Sequence, residues 1–380
     1  MNQKLRNSVQ QAFVDKFEQE PILVFSPGRI NLIGEHTDYN EGYVFPAAID
    51  KGIYLAIQKS TSVSCIKALD KEETYVFDTN SIKPSGKGGW ENYLLGVVSE
   101  MQKKGKQIPN FNVIFSGDIP DGAGLSSSAA LENSMAFGLN TIFDLGFTKK
   151  ELILISQLAE HNYVGVKCGI MDQYASMFGE EGKAIHLDCR SLEGVSYPIN
   201  LNQFELLLIN TNVKHSLSDS AYNDRRKVCE KVANLLEVSA LRDVVEKDLI
   251  SLKETITNEE YAKALYVLEE NQRTIQATES LVDNDIKTLG NLLFASHKGL
   301  SEKYKVSCPE LDFLVAKAKA STAVVGARMM GGGFGGCTIN IIETQKKEVF
   351  IKEIKQEYQK KFNHNCSIYE VKLSNGTQKI

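Results

Sequence analysis

At 380 residues, with 42% hydrophobic and 24% charged side chains, the chain can build two ordinary globular domains. Its net charge of −5 and pI of about 5.8 argue against nucleic acid or a membrane surface as a partner, and no apolar run approaches the ~18 residues of a membrane-spanning helix. Seven scattered cysteines without a Cys-x-x-Cys pair, and six dispersed histidines without His-Glu-x-x-His, predict reduced thiols, a cytoplasmic location and no zinc site.

Met1 to Arg6 leads into a polar stretch with no signal-peptide core. Residues 22–25, 52–58, 63–69 and 74–78, rich in Ile, Val and Tyr, predict strands. Leu94, Leu95, Val98 and Met101 share one side of a helix over Glu91–Lys103. A strand over Asn112–Ser116 precedes helices over Ser126–Phe143 and Thr148–Tyr163, the second opened by a Thr148-x-x-Glu151 capping box. Glu205–Ile209 is strand-like. From Leu217 to Lys305 the pattern is mostly helical, with a loop over Ser301–Pro309 and a helix over Leu311–Ala320. Cys337–Ile342, Val349–Phe362 and Ser367–Val371 then read strand, helix, strand. Texture changes near residue 200, which divides the chain into 1–200 and 201–380, an α+β molecule of two lobes.

Three segments carry chemistry. The first, Gly28-Arg29-Ile30-Asn31-Leu32-Ile33-Gly34-Glu35-His36-Thr37-Asp38-Tyr39, leaves a strand as a loop dense in polar side chains. Short carboxylates accept several hydroxyl hydrogen bonds each, which suits a polyol ligand. The second, Asp121-Gly122-Ala123-Gly124-Leu125-Ser126-Ser127-Ser128-Ala129-Ala130, runs a glycine loop into a helix start. Unpartnered N–H groups and the helix dipole bind anions there, although alone the pattern fits a serine-capped helix equally well. It lacks the Gly-Lys-Ser/Thr of a Walker loop. The third, Gly331-Gly332-Gly333-Phe334-Gly335-Gly336, formally contains Gly-x-Gly-x-x-Gly, but it precedes a strand and has no acidic partner downstream, so a dinucleotide reading fails. A hairpin turn, or backbone lying against a ligand or another loop, remains.

Together, in this order and spacing, the three segments resemble the signature of galactokinases within the GHMP family of small-molecule kinases, over residues 10 to 375. The resemblance implies a two-lobed fold, with an N-terminal lobe like ribosomal protein S5, a C-terminal ferredoxin-like lobe and the active site between them. It implies transfer of the ATP γ-phosphate to the anomeric hydroxyl of α-D-galactose. Asp172, in Cys168-Gly169-Ile170-Met171-Asp172-Gln173, then becomes the catalytic aspartate, where alone it would read as a helix cap. Arg29 becomes its charged partner. Glu35, His36, Thr37, Asp38, Gly169, Asp172 and Tyr222 are implied sugar contacts. Gly122, Ala123, Gly124, Leu125, Ser126, Ser127 and Ser128 are the implied phosphate loop, and Trp90, the only tryptophan, an aromatic near the adenine. Glu160 and Ser128 are the implied Mg2+ ligands, a sparse set that phosphates and water would complete. His161 reads as structural, and Arg225 and Arg226 as salt-bridge residues. The expected partners are D-galactose and ATP, with the protein a monomer or weak dimer.

Two rivals share the signature: the same chemistry on another sugar, such as N-acetylgalactosamine or arabinose, and a galactose-and-ATP sensor without kinase activity. The complete Glu35-His36-x-Asp38 set favours galactose. Sensor relatives lack small residues after the serine run, whereas Ser126-Ser127-Ser128-Ala129-Ala130 is intact.

Overall fold

In the computed structural model, which describes residues 1–86, 88–214 and 218–380, the chain opens with a helix, α1 (Gln3–Phe17). Strands β1 (Ile22–Asn31), β2 (Tyr43–Val44), β3 (Pro46–Lys59), β4 (Ser64–Ala68) and β5 (Glu73–Phe77) follow. Then come α2 (Glu91–Lys103), β6 (Phe111–Gly117), α3 (Ser127–Phe143), α4 (Lys149–Ala159), α5 (Met171–Phe178), β7 (Lys183–Asp188) and β8 (Glu193–Pro198). The second half comprises β9 (Phe204–Lys214), α6 (Ser218–Leu235), α7 (Glu246–Ser251), α8 (Asn258–Val282), α9 (Ile286–Glu302), α10 (Pro309–Ala320), β10 (Val324–Met329), β11 (Gly335–Glu343), α11 (Lys347–Phe362), β12 (Ser367–Glu370) and β13 (Gln378–Lys379). Leu217, where the expected helical run begins, lies outside the described residues.

A six-stranded sheet in the order β13-β1-β3-β6-β4-β5 carries the first half, and a four-stranded antiparallel sheet, β10-β11-β9-β12, carries the second. Successive side chains of a strand face opposite ways. Tyr54 and Ala56 of β3 meet Val9 and Phe13 of α1 on one face, while Leu55 and Ile57 enter the larger core with α2, α3 and α4 on the other. This two-sided burial explains the apolar run Ile53–Ile57 within β3. A third core joins the halves. Ile30, Leu32, Ile33 and Phe45 pack with Ala277 and Leu281 of α8, Leu289 of α9, Met330, and Ile339 of β11. At about 1.5–3 kcal/mol for each large side chain, this seam stabilises the junction on which the site depends.

The capping box at Thr148 and Glu151 forms as expected. The helix it opens is shorter than expected, because α4 ends at Ala159 and one wide π turn, Glu160–Val164, follows. Several features were not expected from the sequence, among them α1 in the polar N-terminal stretch, α5 around Asp172, the strands β2, β7, β8 and β10, and the path of the last residues. Lys372 O accepts from Asp50 N (2.8 Å), Leu373 bridges Ile49, and β13 pairs with β1, so the tail re-enters the first sheet. Among the described residues no helix is long and apolar enough to cross a membrane.

Candidate active site

Arg29 is still a strand residue of β1, paired with Ala48, and only 3% exposed. Its guanidinium grips Asp172 in two bonds, Nε to Oδ1 at 2.7 Å and Nη2 to Oδ2 at 2.9 Å, and its Nη1 donates to Gly124 O at 2.6 Å. Burial opposes the charge, but Asp172, Glu35 and Asp38 outweigh it and raise the guanidinium above its ordinary range. Asp172 sits in the first turn of α5, at the end of the helix dipole that favours a carboxylate. Ser126, left-handed at φ +60 just before α3, donates its hydroxyl to Asp172 Oδ2. Strand, glycine loop and helix therefore meet at one carboxylate.

A cavity of about 130 Å³ opens from this point, walled by Arg29, Glu35, His36, Asp38, Glu160, Cys168, Gly169, Asp172, Tyr222 and Gly332, among others. Glu35 is held from behind. Its Oε2 accepts from Nη2 of the fully buried Arg328 (2.5 Å) and from Asn31 Nδ2 (3.1 Å). The N–H groups of Gly34 and Glu35 donate to Glu270 Oε1 of α8 at 3.0 and 3.4 Å. Asp38 accepts from its neighbour Tyr39 N at 3.0 Å, and burial, with the nearby Asp172 second, pushes its carboxyl up to about 7. Gly169 lies so close that a Cβ there would sit 1.9 Å from Asp38 Oδ2, so only glycine lets the backbone reach the cavity. Burial first, then Arg225, depress the His36 imidazole to about 3, which leaves it neutral. Tyr222 covers the mouth, its ring 5.2 Å from that of His36.

A second cleft, about 470 Å³, lies beyond the phosphate loop and is walled by Glu73, Trp90, Tyr93, Phe115, Asp121, Ser127 and Ser128 among others. Trp90 Nε1 donates to Glu73 Oε2 at 2.6 Å, and its ring meets Phe115 edge-on at 5.2 Å. Gly122 and Gly124 have φ of +67 and +69, while Ala123 and Leu125 are 1% exposed in the seam core. The loop thus anchors itself by side chains and offers backbone. The third glycine segment is the turn between β10 and β11, and it packs on this loop: a Cβ on Gly331 would stand 3.2 Å from Gly124 O.

Glu160 is the first residue of the π turn and 8% exposed. Gln173 Nε2 donates to Glu160 Oε2 (3.1 Å) and to Glu132 Oε2 (3.3 Å), so one amide bridges two buried carboxylates. Burial first, then Glu160, hold Glu132 well above the carboxylate range, and its Oε1 has no partner among the described residues. Ser128 stands one turn before Glu132 on α3. Among the described residues no group of three or more His, Cys, Asp or Glu forms a ready-made metal cage. Ser128 lines the second cleft and Glu160 the first cavity, and oxygen donors of this kind suit a hard divalent cation that phosphates and water complete.

Three expected roles change. Thr37 is 0% exposed and does not wall the cavity. Its hydroxyl lies 2.8 Å from Gly34 O and 2.7 Å from Tyr43 O, bracing the loop. Ser126 turns away from the second cleft, where Ser127 and Ser128 are, to Asp172. Arg226 pairs with Glu230 at 2.7 Å, but Arg225 donates to the carbonyls of Tyr304 and Lys305 and lies over the Phe334 ring. His161 is structural as expected, its Nε2 2.8 Å from Cys168 O. Arg328, Glu270, Glu132 and Gln173 were missed. A buried arginine inside the apolar run Val324–Met329 was the one visible signal.

Comparison with known proteins agrees with this geometry. The galactokinase galactose-binding signature matches residues 11–59, the GHMP kinases N terminal domain residues 92–180, and the GHMP kinases C terminal domain residues 277–360. The galactokinase of Thermotoga maritima is 40% identical over 367 residues, covering 94% of this chain and 99% of its own. That of Clostridium acetobutylicum is 40% identical over 365 residues, covering 94% of each. The crystal structure of Lactococcus lactis galactokinase complexed with galactose superposes with a TM-score of 0.95 at 32% identity, covering 98% of this chain and 99% of that one. Methanococcus jannaschii mevalonate kinase, 17% identical, shares the fold with a TM-score of 0.65, covering 94% of this chain and 99% of its own. With its two-lobed GHMP kinase fold, the chain belongs to the galactokinase family.

Proposed function

We propose that the protein transfers the γ-phosphate of ATP to the anomeric hydroxyl of α-D-galactose, giving galactose 1-phosphate and ADP, in the cytoplasm. The observation that carries this reading is the junction of Arg29, Ser126 and Asp172 between a small polar cavity and a larger cleft. Galactose takes the cavity, where Glu35 and Asp38 accept its hydroxyls, His36 and Tyr222 close around it, and the Gly169 backbone touches it. ATP takes the cleft, its base against Trp90 and its phosphates on Gly122–Ser128, where loop N–H groups and the start of α3 face the anion. Seven free thiols suit a reducing compartment.

Asp172 offers roughly four acceptor positions, and Arg29 and Ser126 fill three. One remains for the attacking hydroxyl. The hydroxyl oxygen bonds to the γ-phosphorus as the bond to the bridging oxygen of ADP breaks, and its proton leaves toward Asp172. Phosphoryl transfer passes through a loose transition state with little charge on the attacking oxygen, so orientation by Asp172 outweighs early proton removal. Arg29, fixed between Asp172 and the phosphate loop, stabilises the charge that spreads over the transferring group. Mg2+, held by Ser128 and Glu160 with Glu132 behind, would neutralise phosphate charge when bound.

ADP release with Mg-ATP tests the reading on D-galactose, 2-deoxygalactose, N-acetylgalactosamine, glucose and arabinose. Galactose should turn over strongly and its 4-epimer glucose weakly. Asp172→Ala should lower kcat at least ~10³-fold while sugar and nucleotide still bind. Activity within severalfold of the parent would overturn the role of Asp172, and turnover of another sugar alone would overturn the substrate.

A further inference from the structure

His36 ends a buried chain of hydrogen-bonding groups that nothing in the phosphoryl-transfer reading uses. Its Nδ1 is 2.9 Å from the Tyr39 hydroxyl, which is 2.6 Å from the Tyr304 hydroxyl, which is 3.3 Å from Cys229 Sγ. Tyr304 is 0% and Cys229 1% exposed, and the rings of Tyr39, Tyr222 and Tyr304 pack around the imidazole at 5.8, 5.2 and 5.0 Å. The backbone of His36 is left-handed, at φ +63, and its ring walls the sugar cavity. At the other end of the ring, Nε2 is buried and makes no hydrogen bond of good geometry among the described residues, while the Gly332 backbone lies near enough to the imidazole to favour a ring N–H.

We propose that His36 serves the sugar only as a hydrogen-bond donor, through Nε2–H, and that the Tyr39 hydroxyl, backed by Tyr304, fixes this tautomer. Each hydroxyl in the chain has one proton to give, and an arrangement in which Tyr39 accepted from both neighbours would leave its own proton without a partner in the chain, so the chain runs one way. Run away from histidine, Nδ1–H would donate to Tyr39, Tyr39 to Tyr304, and the last phenol proton would go to sulphur, a weak acceptor. Run toward histidine, Tyr304 donates to Tyr39 and Tyr39 donates to the imidazole nitrogen, a strong acceptor. The second direction matches donors with acceptors, and it leaves the single proton of the neutral ring on Nε2. The depressed basicity of His36 and the raised tyrosines and thiol agree with every group in the chain being neutral. The cavity is then divided in kind: Glu35, and Asp38 once ionised, accept a proton from the sugar, whereas His36 requires a lone pair. A hydroxyl facing His36 can be replaced by fluorine, and those facing the two carboxylates cannot.

The sugar arm of this proposal rests on the galactose reading, while the tautomer does not, so the two fail separately. Long-range 1H–15N correlation of the ¹⁵N-histidine protein without sugar reads the tautomer, with His36 assigned by its loss in His36→Gln. The expected result is an unprotonated Nδ1 and a protonated Nε2. A protonated Nδ1 in the parent protein overturns the proposal without any variant. Tyr39→Phe, which keeps the ring and removes the hydroxyl, should shift the His36 signals toward a mixed tautomer. It should also raise the galactose KM about three- to tenfold, with a smaller change in kcat. An unchanged His36 spectrum in folded Tyr39→Phe rejects the role of Tyr39. In the parent protein one position of a deoxyfluorogalactose series should keep a KM within about threefold of galactose. Rejection of fluorine at every position, with galactose itself a substrate, overturns the donor role.

Discussion

Asp38→Asn replaces a carboxylate by an amide of the same shape, and the structure assigns it opposite effects on stability and on sugar binding. In the free protein, burial and the neighbouring Asp172 raise the Asp38 carboxyl from 3.8 to about 7. Three pKa units correspond to about 4 kcal/mol. The sign follows from the raised value. Below pH ~4 the group is protonated whether folded or unfolded, and the cost is absent. Between ~4 and about 7 the unfolded chain ionises first, so the parent protein loses stability as pH rises; above 7 the full cost is present. The amide carries no such cost and still accepts from Tyr39 N. The advantage of Asp38→Asn should therefore grow by roughly 3 kcal/mol between pH 5 and pH 8. Urea unfolding at both pH values, compared by midpoint at equal slope, measures it. The galactose KM should rise about 10- to 100-fold, since a charge-assisted hydrogen bond contributes about 1.5–3 kcal/mol. Stability curves that run parallel for parent and variant across this range would refute the assignment of a raised, destabilising carboxylate to Asp38.

Two further outcomes probe the walls of the two clefts. Trp90→Ala removes the aromatic surface of the larger cleft and should raise the ATP KM about three- to tenfold while leaving the galactose KM within twofold, read from initial rates with each substrate varied. Arg328→Met leaves Glu35 buried at 2% exposure without its cation and should cost about 3–5 kcal/mol in chemical denaturation. The double variant Arg328→Met with Glu35→Gln should recover most of that loss, because the uncompensated charge is gone.

Periodicity and turn chemistry reveal which faces are buried, and on that level much of the fold was legible. The start of β1, the strands β3 to β6, α2, α3, the capped α4 and the last strand–helix–strand could be read from apolar spacing. Elements whose burial is narrow or broken by polar residues could not. In α1 only Val9 and Phe13 are fully covered, and the rest of the helix looks like solvent-exposed chain. In β10 the buried Arg328 interrupts the apolar run, and α5 is eight residues long with no side-chain cap at Ile170. The site divides in the same way. The proposed ligand contacts were legible only through their resemblance to a known signature: many fall in the segments 28–39 and 121–130, and Trp90, Glu160, Gly169, Asp172 and Tyr222 lie elsewhere. Residues that hold them in place were not, because their contacts join distant parts of the chain. Arg328 and Glu35 are 293 positions apart, and Glu270 and Gly34 are 236 apart.

The tail shows why sequence texture cannot delimit this active site. A boundary near residue 200 assigns the final residues to the second lobe, yet Thr377 Oγ1 lies 2.8 Å from Ser26 Oγ of β1 and 2.9 Å from Ser176 O of α5. Ser26 and Ser176 are themselves in contact at 3.1 Å. Gly376 N donates to Gly179 O at 2.8 Å, just past the end of α5, and β13 pairs with β1 at Val24 and Phe25. The strand that carries Arg29 and the helix that carries Asp172 are thus tied together from behind by residues 376 to 379. On the proposed mechanism the Arg29–Asp172 pair must hold its geometry for an attacking hydroxyl, and this support gives it rigidity. The support is invisible to any reading that stops where composition changes, because serine, threonine and glycine in a chain terminus look like solvent-exposed tail until a partner strand is found for them.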